Sequence, residues 1–269
     1  MSTQAKARRA ANSVGDSRAL NILARTGFAA NGLVHLLLGY LAIRVAANQA
    51  GQTDQSGALA EVAKLPGGVI LLWVAVVGFF ALGLWLVVQA ALGIGSTSKK
   101  RWVRSLVAVG KAVAYIALGV TALTFAQGQS SSSSDSTQQA SAGILALPGG
   151  QLLLGGIGVA VAAIGGYFVY KGVTKKFVED LAVPPGTAGR TVRALGVAGY
   201  VAKGIAVVIV GVLFVVAAVT VDPGSATGLD GALKSLAALP FGMVILIAVG
   251  LGLIAYGVYT FARARFARL

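Results

Sequence analysis

The chain has no cysteine, one histidine, and only 8 acidic residues among 269. Without cysteine there is no disulfide, no thiol chemistry and no thiolate metal site. A lone histidine cannot clamp a haem from both faces, and no metal-ligand cluster is visible, so neither a metal nor a cofactor is expected. Charge of either sign is scarce. Charged residues make up 11% of the chain, where an average soluble domain carries about a quarter. That is too little polar surface to coat a globule in water.

The placement of the acids excludes more. Asp16, Asp54, Glu61, Asp135, Glu179, Asp180, Asp222 and Asp230 all fall outside the long apolar runs. Proton- and sodium-coupled carriers usually hold carboxylates inside the membrane. Enzymes need acids, bases or nucleophiles in a constellation. Neither pattern is present, so the expectation is a protein that is not an enzyme.

Apolar sequence is what the chain has in quantity: 57% of residues, with a mean hydropathy of +0.82. Six continuous runs stand out, at 24–47, 68–94, 105–127, 149–173, 195–219 and 241–262. Each exceeds the ~20 residues that a helix needs to cross the hydrocarbon layer. A spanning β-barrel would show alternating segments of ~10 residues instead. The expected fold class is therefore all-α integral membrane, with six transmembrane helices. The first run, behind a basic start, also has the look of a signal peptide. Its length and its match to internal segments oppose that reading.

The net charge of +14 invites a nucleic-acid partner. Its distribution points to membrane topology instead. Nineteen of the 22 basic residues lie on one side of the alternating connections, and only Arg44, Lys64 and Lys234 on the other. The positive-inside rule puts the richer side, with both termini, in the cytoplasm. Basic residues there attract anionic lipid headgroups at ~1 kcal/mol each.

Self-comparison reveals three copies of one unit. With Gly39, Gly119 and Gly211 as anchors, Asn31, Lys111 and Lys203 stand eight residues earlier. A Leu-Pro-x-Gly corner follows at Pro66, Pro148 and Pro240, and Gly83, Gly165 and Gly257 stand 17 residues past each proline. The unit reads helix, outer loop, corner, helix, inner loop. Residues 1–20 read as a disordered basic tail, and the repeats are expected at 21–95, 101–177 and 190–266. Two spans per copy make the three copies parallel, related by an axis along the membrane normal. A pseudo-threefold bundle is the simple arrangement, and a linear row of hairpins is the alternative.

Short segments precede the corners, at Ser56–Leu65, Gln138–Leu147 and Gly228–Leu239. The first and third are amphipathic, with Leu229, Leu233, Leu236 and Leu239 toward one face. They read as interfacial helices on the outer surface, turned into the membrane by proline and glycine. The run Ser130–Ser134 reads as a flexible, solvated loop.

The stretches "ARTGFAANGLVHLLLGYLAI" and "GLDGALKSLAALPFGMVILIAVGLGLIAYGVYTFARARF" resemble an actinobacterial membrane family catalogued as domain of unknown function family 1206. The resemblance covers the chain after residue 20. It implies three tandem two-helix repeats in a bacterial plasma membrane, and it brings no activity. Asn31 departs from the lysine of the other two copies.

Few polar groups remain inside the runs. Asn31 and His35 share one helix face, and Lys111 and Tyr115 repeat that spacing. Under threefold symmetry Asn31, Lys111 and Lys203 form a ring for a phosphate or lipid headgroup, or an anion-selective constriction. Against this, both lysines can simply snorkel to the interface. His35 and Tyr115 are a candidate intramembrane polar site, with a hydrogen bond to a neighbouring helix favoured over a proton relay. Gly78, Gly83, Gly155, Gly156, Gly165, Gly166, Gly252 and Gly257 read as close-packing positions. Trp85, Tyr167 and Tyr259, matched across the copies, read as packing residues, and Trp102 as an interface anchor. Two functions fit these features. One is a non-catalytic component that binds lipid or a partner membrane protein. The other is a channel or facilitator for a small or anionic solute along the threefold axis.

Overall fold

The computed structural model describes residues 18–48, 51–92, 101–182 and 185–266. Of the expected disordered tail, residues 18–20 are instead helical and open the first helix; the part up to residue 17, Lys99, Lys100, and the side chains of Trp85 and Trp102 lie outside what is described. Nine α-helices are found among the described residues: α1 Arg18–Ala46, α2 Gln55–Ala63, α3 Gly68–Leu92, α4 Arg101–Ala126, α5 Ser133–Leu145, α6 Gly150–Val173, α7 Thr187–Thr220, α8 Gly228–Ala237 and α9 Gly242–Phe266. Two short 3-10 turns, Lys176–Asp180 and Pro223–Ser225, flank α7. Within α1, α4, α6, α7 and α9 lie five stretches long and apolar enough to cross a membrane, and α3 contributes a shorter apolar stretch, Gly68–Leu84. Their outward faces are apolar: Leu152 is 85% exposed and Val74 66%. Side chains of this kind, repeated along whole helices, face hydrocarbon.

Each Leu-Pro-x-Gly corner is a hydrogen-bonded turn. The amides of Gly68, Gly150 and Gly242 donate to the carbonyls of Leu65, Leu147 and Leu239 at 2.8, 2.8 and 2.7 Å. Proline takes the second position. The third residue is left-handed in every copy: Gly67 at φ +76, Gly149 at φ +74 and Phe241 at φ +61. That is the type II pattern, which favours glycine at its third place. The fourth glycine has a different reason. A β-carbon on Gly68, Gly150 or Gly242 would collide with the carbonyl oxygen of Val62, Ile144 or Ala237 at the end of the preceding short helix.

Those short helices exist, with shifted bounds. In α2 the Asp54 carboxylate caps the start by accepting from the Gly57 amide at 3.0 Å. The serine run is not a loop throughout. Ser132 accepts from the Asp135 amide at 3.2 Å, and α5 starts at Ser133, five residues ahead of the expected segment. A serine at the cap and an acid in the first turn both favour a helix start. In α8, Leu233 and Leu236 are buried, while Leu239 lies past the helix end in the turn and is exposed, contrary to its expected place on the apolar face.

The chain divides into two compact units. One takes α2, α3 and α4, from Gln52 to Ser136. The other takes α1 with α6 to α9. Tight helix pairing does not follow the repeats. In the first unit, the second helix of copy one (α3) packs on the first helix of copy two (α4). In the other, α6 of copy two packs on α7 of copy three, and α9 of copy three packs on α1 of copy one.

The three pairs share one register. A β-carbon on Gly83 would strike Ile116, on Gly165 the Gly204 carbonyl oxygen at 2.8 Å, and on Gly257 the Gly32 carbonyl oxygen at 2.8 Å. Ala112 is the residue at the place of Gly204 and Gly32. One layer further, Gly119 meets Phe80, Gly211 meets Gly158 and Ala162, and Gly39 meets Gly250 and Ile254. Small residues let backbones approach closely where hydrocarbon removes the hydrophobic driving force between helices. Gly78, Gly156 and Gly166 do not serve this purpose, because a β-carbon at each meets no described atom within 4 Å. They lie on helix faces with no close neighbour in their unit.

Candidate functional site

Both long helices of copy three, α7 and α9, lie in one unit and pack extensively on each other. Gly199 and Gly252 permit it, since β-carbons there would run into Tyr256 and Ala202. α9 therefore has α1 on one side and α7 on the other. The polar residues of α1 and α7 meet at one α9 side chain, Tyr256.

His35 is 8% exposed and its ring centroid lies 4.6 Å from that of Tyr256. Its Nδ1–H donates to the Asn31 carbonyl at 2.8 Å, one turn back. Such a back-bond satisfies one ring nitrogen within the helix itself. From the α7 side, the Lys203 ammonium sits 4.4 Å from the Tyr256 ring centre and 5.3 Å from that of Phe168. Aromatic faces attract a cation, by up to ~2 kcal/mol once it is desolvated. Asn31, His35 and Lys203 are thus neighbours of one ring. Lys111 and Tyr115 belong to the other unit, where Lys111 is exposed and Tyr115 lies 6.2 Å from Phe79.

The basic ends of α6, α7 and α9 surround an aromatic cluster that sequence reading missed. Tyr200 packs on Tyr256 at 5.2 Å, on Tyr259 at 5.6 Å and on Phe177 at 5.2 Å. Phe177 comes from the 3-10 turn after α6, fully buried, and occupies the space left by Gly196. Leu181 is buried beside it, and the Ala182 amide donates to the Phe266 carbonyl at 2.8 Å, fastening the connection to the end of α9. Lys171 lies 5.7 Å from the Tyr200 ring and Arg263 4.5 Å from that of Phe28. Outside the spans, Lys176 lies 4.9 Å from the Tyr170 ring. A hydrogen bond with Tyr170 holds its ammonium pKa above the usual lysine value. Of its members, only Tyr259 was singled out in the sequence, as a packing residue matched across the copies.

Tyr259 and Tyr167, matched in sequence, have different fates. Tyr259 is fully buried in the cluster, whereas Tyr167 is 55% exposed and so is not a packing residue. Within this unit α9 has a helix on two sides, while α6 packs closely on α7. Among the described residues no group of three or more potential ligands gathers for a metal.

These features define a repeat-built, all-helical, multi-pass membrane protein. The family described as Domain of Unknown Function (DUF1206) matches the chain three times, at residues 26–93, 106–175 and 198–267, and the chain belongs to that family. It is 35% identical over 242 residues to the "Uncharacterized protein YxxB" of Bacillus subtilis (strain 168), covering 87% of this chain and 86% of that protein. No solved structure matches.

Proposed function

We propose that the protein is a non-catalytic component of the bacterial plasma membrane that binds anionic lipid, or a partner membrane protein, at its basic side. One observation carries this reading. Lys171, Lys203 and Arg263 gather around the aromatic cluster on α6, α7 and α9, three helices that contain no carboxylate. Such an end attracts anionic headgroups.

In the proposed topology, six spans form three parallel hairpins and both termini are cytoplasmic. The short helices α2, α5 and α8 lie at the outer interface. Support for a pseudo-threefold arrangement comes from the helix pairing. The second helix of each copy packs on the first helix of the next, the third copy closing on the first, in a single register.

Native mass spectrometry of the gently extracted protein tests the binding reading. Retained lipid or a retained protein partner is expected, and a bare monomer alone defeats it. A solute path along the threefold axis competes with this reading. Flux through reconstituted vesicles that falls when Lys111 and Lys203 are replaced by alanine would favour the path.

A further inference from the structure

Among the differences between the three equivalent helix pairs, one places a basic residue on both helices. Between α1 and α9, at their basic ends, lies a shallow, open groove lined by Arg25, Ala29, Phe261, Ala264 and Arg265. Ala29 and Ala264 contribute small side chains to the lining, and Phe261 an apolar ring. Both arginine side chains are exposed.

The repeat register shows what the other copies place there. Arg25 corresponds to Ser105 and Val197, and Arg265 to Ala91 and Val173. Only the α1–α9 pair has a guanidinium on both helices. Gly83, Gly165 and Gly257, with Gly119, Gly211 and Gly39, make close contacts in all three pairs, so packing does not require the two arginines. The lining contains no acid, and no hydrogen bond or ion pair joins either guanidinium to another described residue. Two like charges on one groove repel each other until an anion lies between them.

The apolar stretch of α1 begins at Phe28, and Arg25 precedes it by three residues, about 4.5 Å along a helix. Arg265 is in the last turn of α9. Both guanidiniums therefore lie at the level where a lipid phosphate would lie, with Phe261 one turn deeper.

We propose that this groove is a headgroup site for an anionic phospholipid. Arg25 and Arg265 hold the phosphate, and an acyl chain runs down past Phe261. Guanidinium suits this task because its fork of donors pairs with two phosphate oxygens at once. The inference rests on the lipid-binding reading and places that binding at a site separate from Lys203 and Lys111.

The test is native mass spectrometry of the full chain, titrated with phosphatidylglycerol and, separately, phosphatidylcholine. Wild type is expected to retain phosphatidylglycerol preferentially. Arg25→Gln/Arg265→Gln should weaken that retention about tenfold or more, while Lys111→Ala retains it. Arg25→Lys/Arg265→Lys should recover part of it. Thermal unfolding in detergent without added lipid should be unchanged for the glutamine variant. Unaltered retention by that variant overturns the groove as the site and leaves lipid binding standing. Absence of any preference in wild type overturns both. Displacement of the lipid by millimolar inorganic phosphate would mark the site as one for a free anion and overturn the lipid assignment.

Discussion

Gly158 and Gly211 face one another so closely that a β-carbon on either would approach the other's carbonyl oxygen, at 2.8 and 2.6 Å. Gly39 and Gly250 repeat the relationship between α1 and α9. Backbone contact of this kind concentrates the stability of a helix pair in positions where even a methyl group does not fit.

Gly158→Val and Gly211→Val should therefore each destabilise the protein by about 1–3 kcal/mol, the usual cost of overpacking. Gly156→Ala and Gly166→Ala, on open faces of the same helix, should leave thermal unfolding in detergent unchanged or slightly raised. Equal losses at all four positions would contradict the assigned interface.

The corner of copy three holds a phenylalanine in a left-handed conformation, which costs roughly 1–2 kcal/mol in a residue with a β-carbon. Phe241→Gly should remove that strain and raise the melting temperature. The reverse change in copy two, Gly149→Phe, should lower it. Phe241 is 85% exposed, so neither change disturbs a core. A fall in stability for Phe241→Gly would mean that its ring is anchored by the surroundings.

Phe177 is expected to be the most sensitive residue of the connections. It is fully buried against Tyr200 and Tyr259 and fills the space beside Gly196. Phe177→Ala should cost about 3–5 kcal/mol. It should also open the 174–187 connection to added protease. A resistant connection in that variant would show that the Ala182–Phe266 hydrogen bond holds it alone.

Lys203 and Lys111 occupy the same place in two copies but not the same environment. Lys203→Ala removes a cation from two aromatic faces and should lower stability by about 0.5–2 kcal/mol. Lys111→Ala, at an exposed position, should stay within about 0.5 kcal/mol of wild type. Double substitution with Tyr256→Leu separates the ring contact from the rest: coupling between Lys203 and Tyr256 is expected, and strict additivity would refute it.

Much of the plan is written locally. Runs longer than the hydrocarbon layer, three Leu-Pro-x-Gly corners and the shared spacing of Gly83, Gly165 and Gly257 are properties of short stretches and periods. They are legible without coordinates because turn chemistry and hydrophobic length act over a few residues to a few turns. Details at the edges were less legible. The serine run carries its own helix cap at Ser132, and Leu239 lies beyond its helix, because capping competes with composition within a single turn.

The sequence by itself determined the helices, the corners and the threefold recurrence, since each follows from backbone sterics or the length of an apolar run. Only the tertiary structure decided which helices pair. That choice joins α3 to α4, α6 to α7 and α9 to α1, across the boundaries of the copies. It also decided that His35 and Lys203 share the ring of Tyr256, and that Arg25 and Arg265 line one groove. Residues far apart in the chain meet only where two backbones can touch, and that depends on glycines of both helices together.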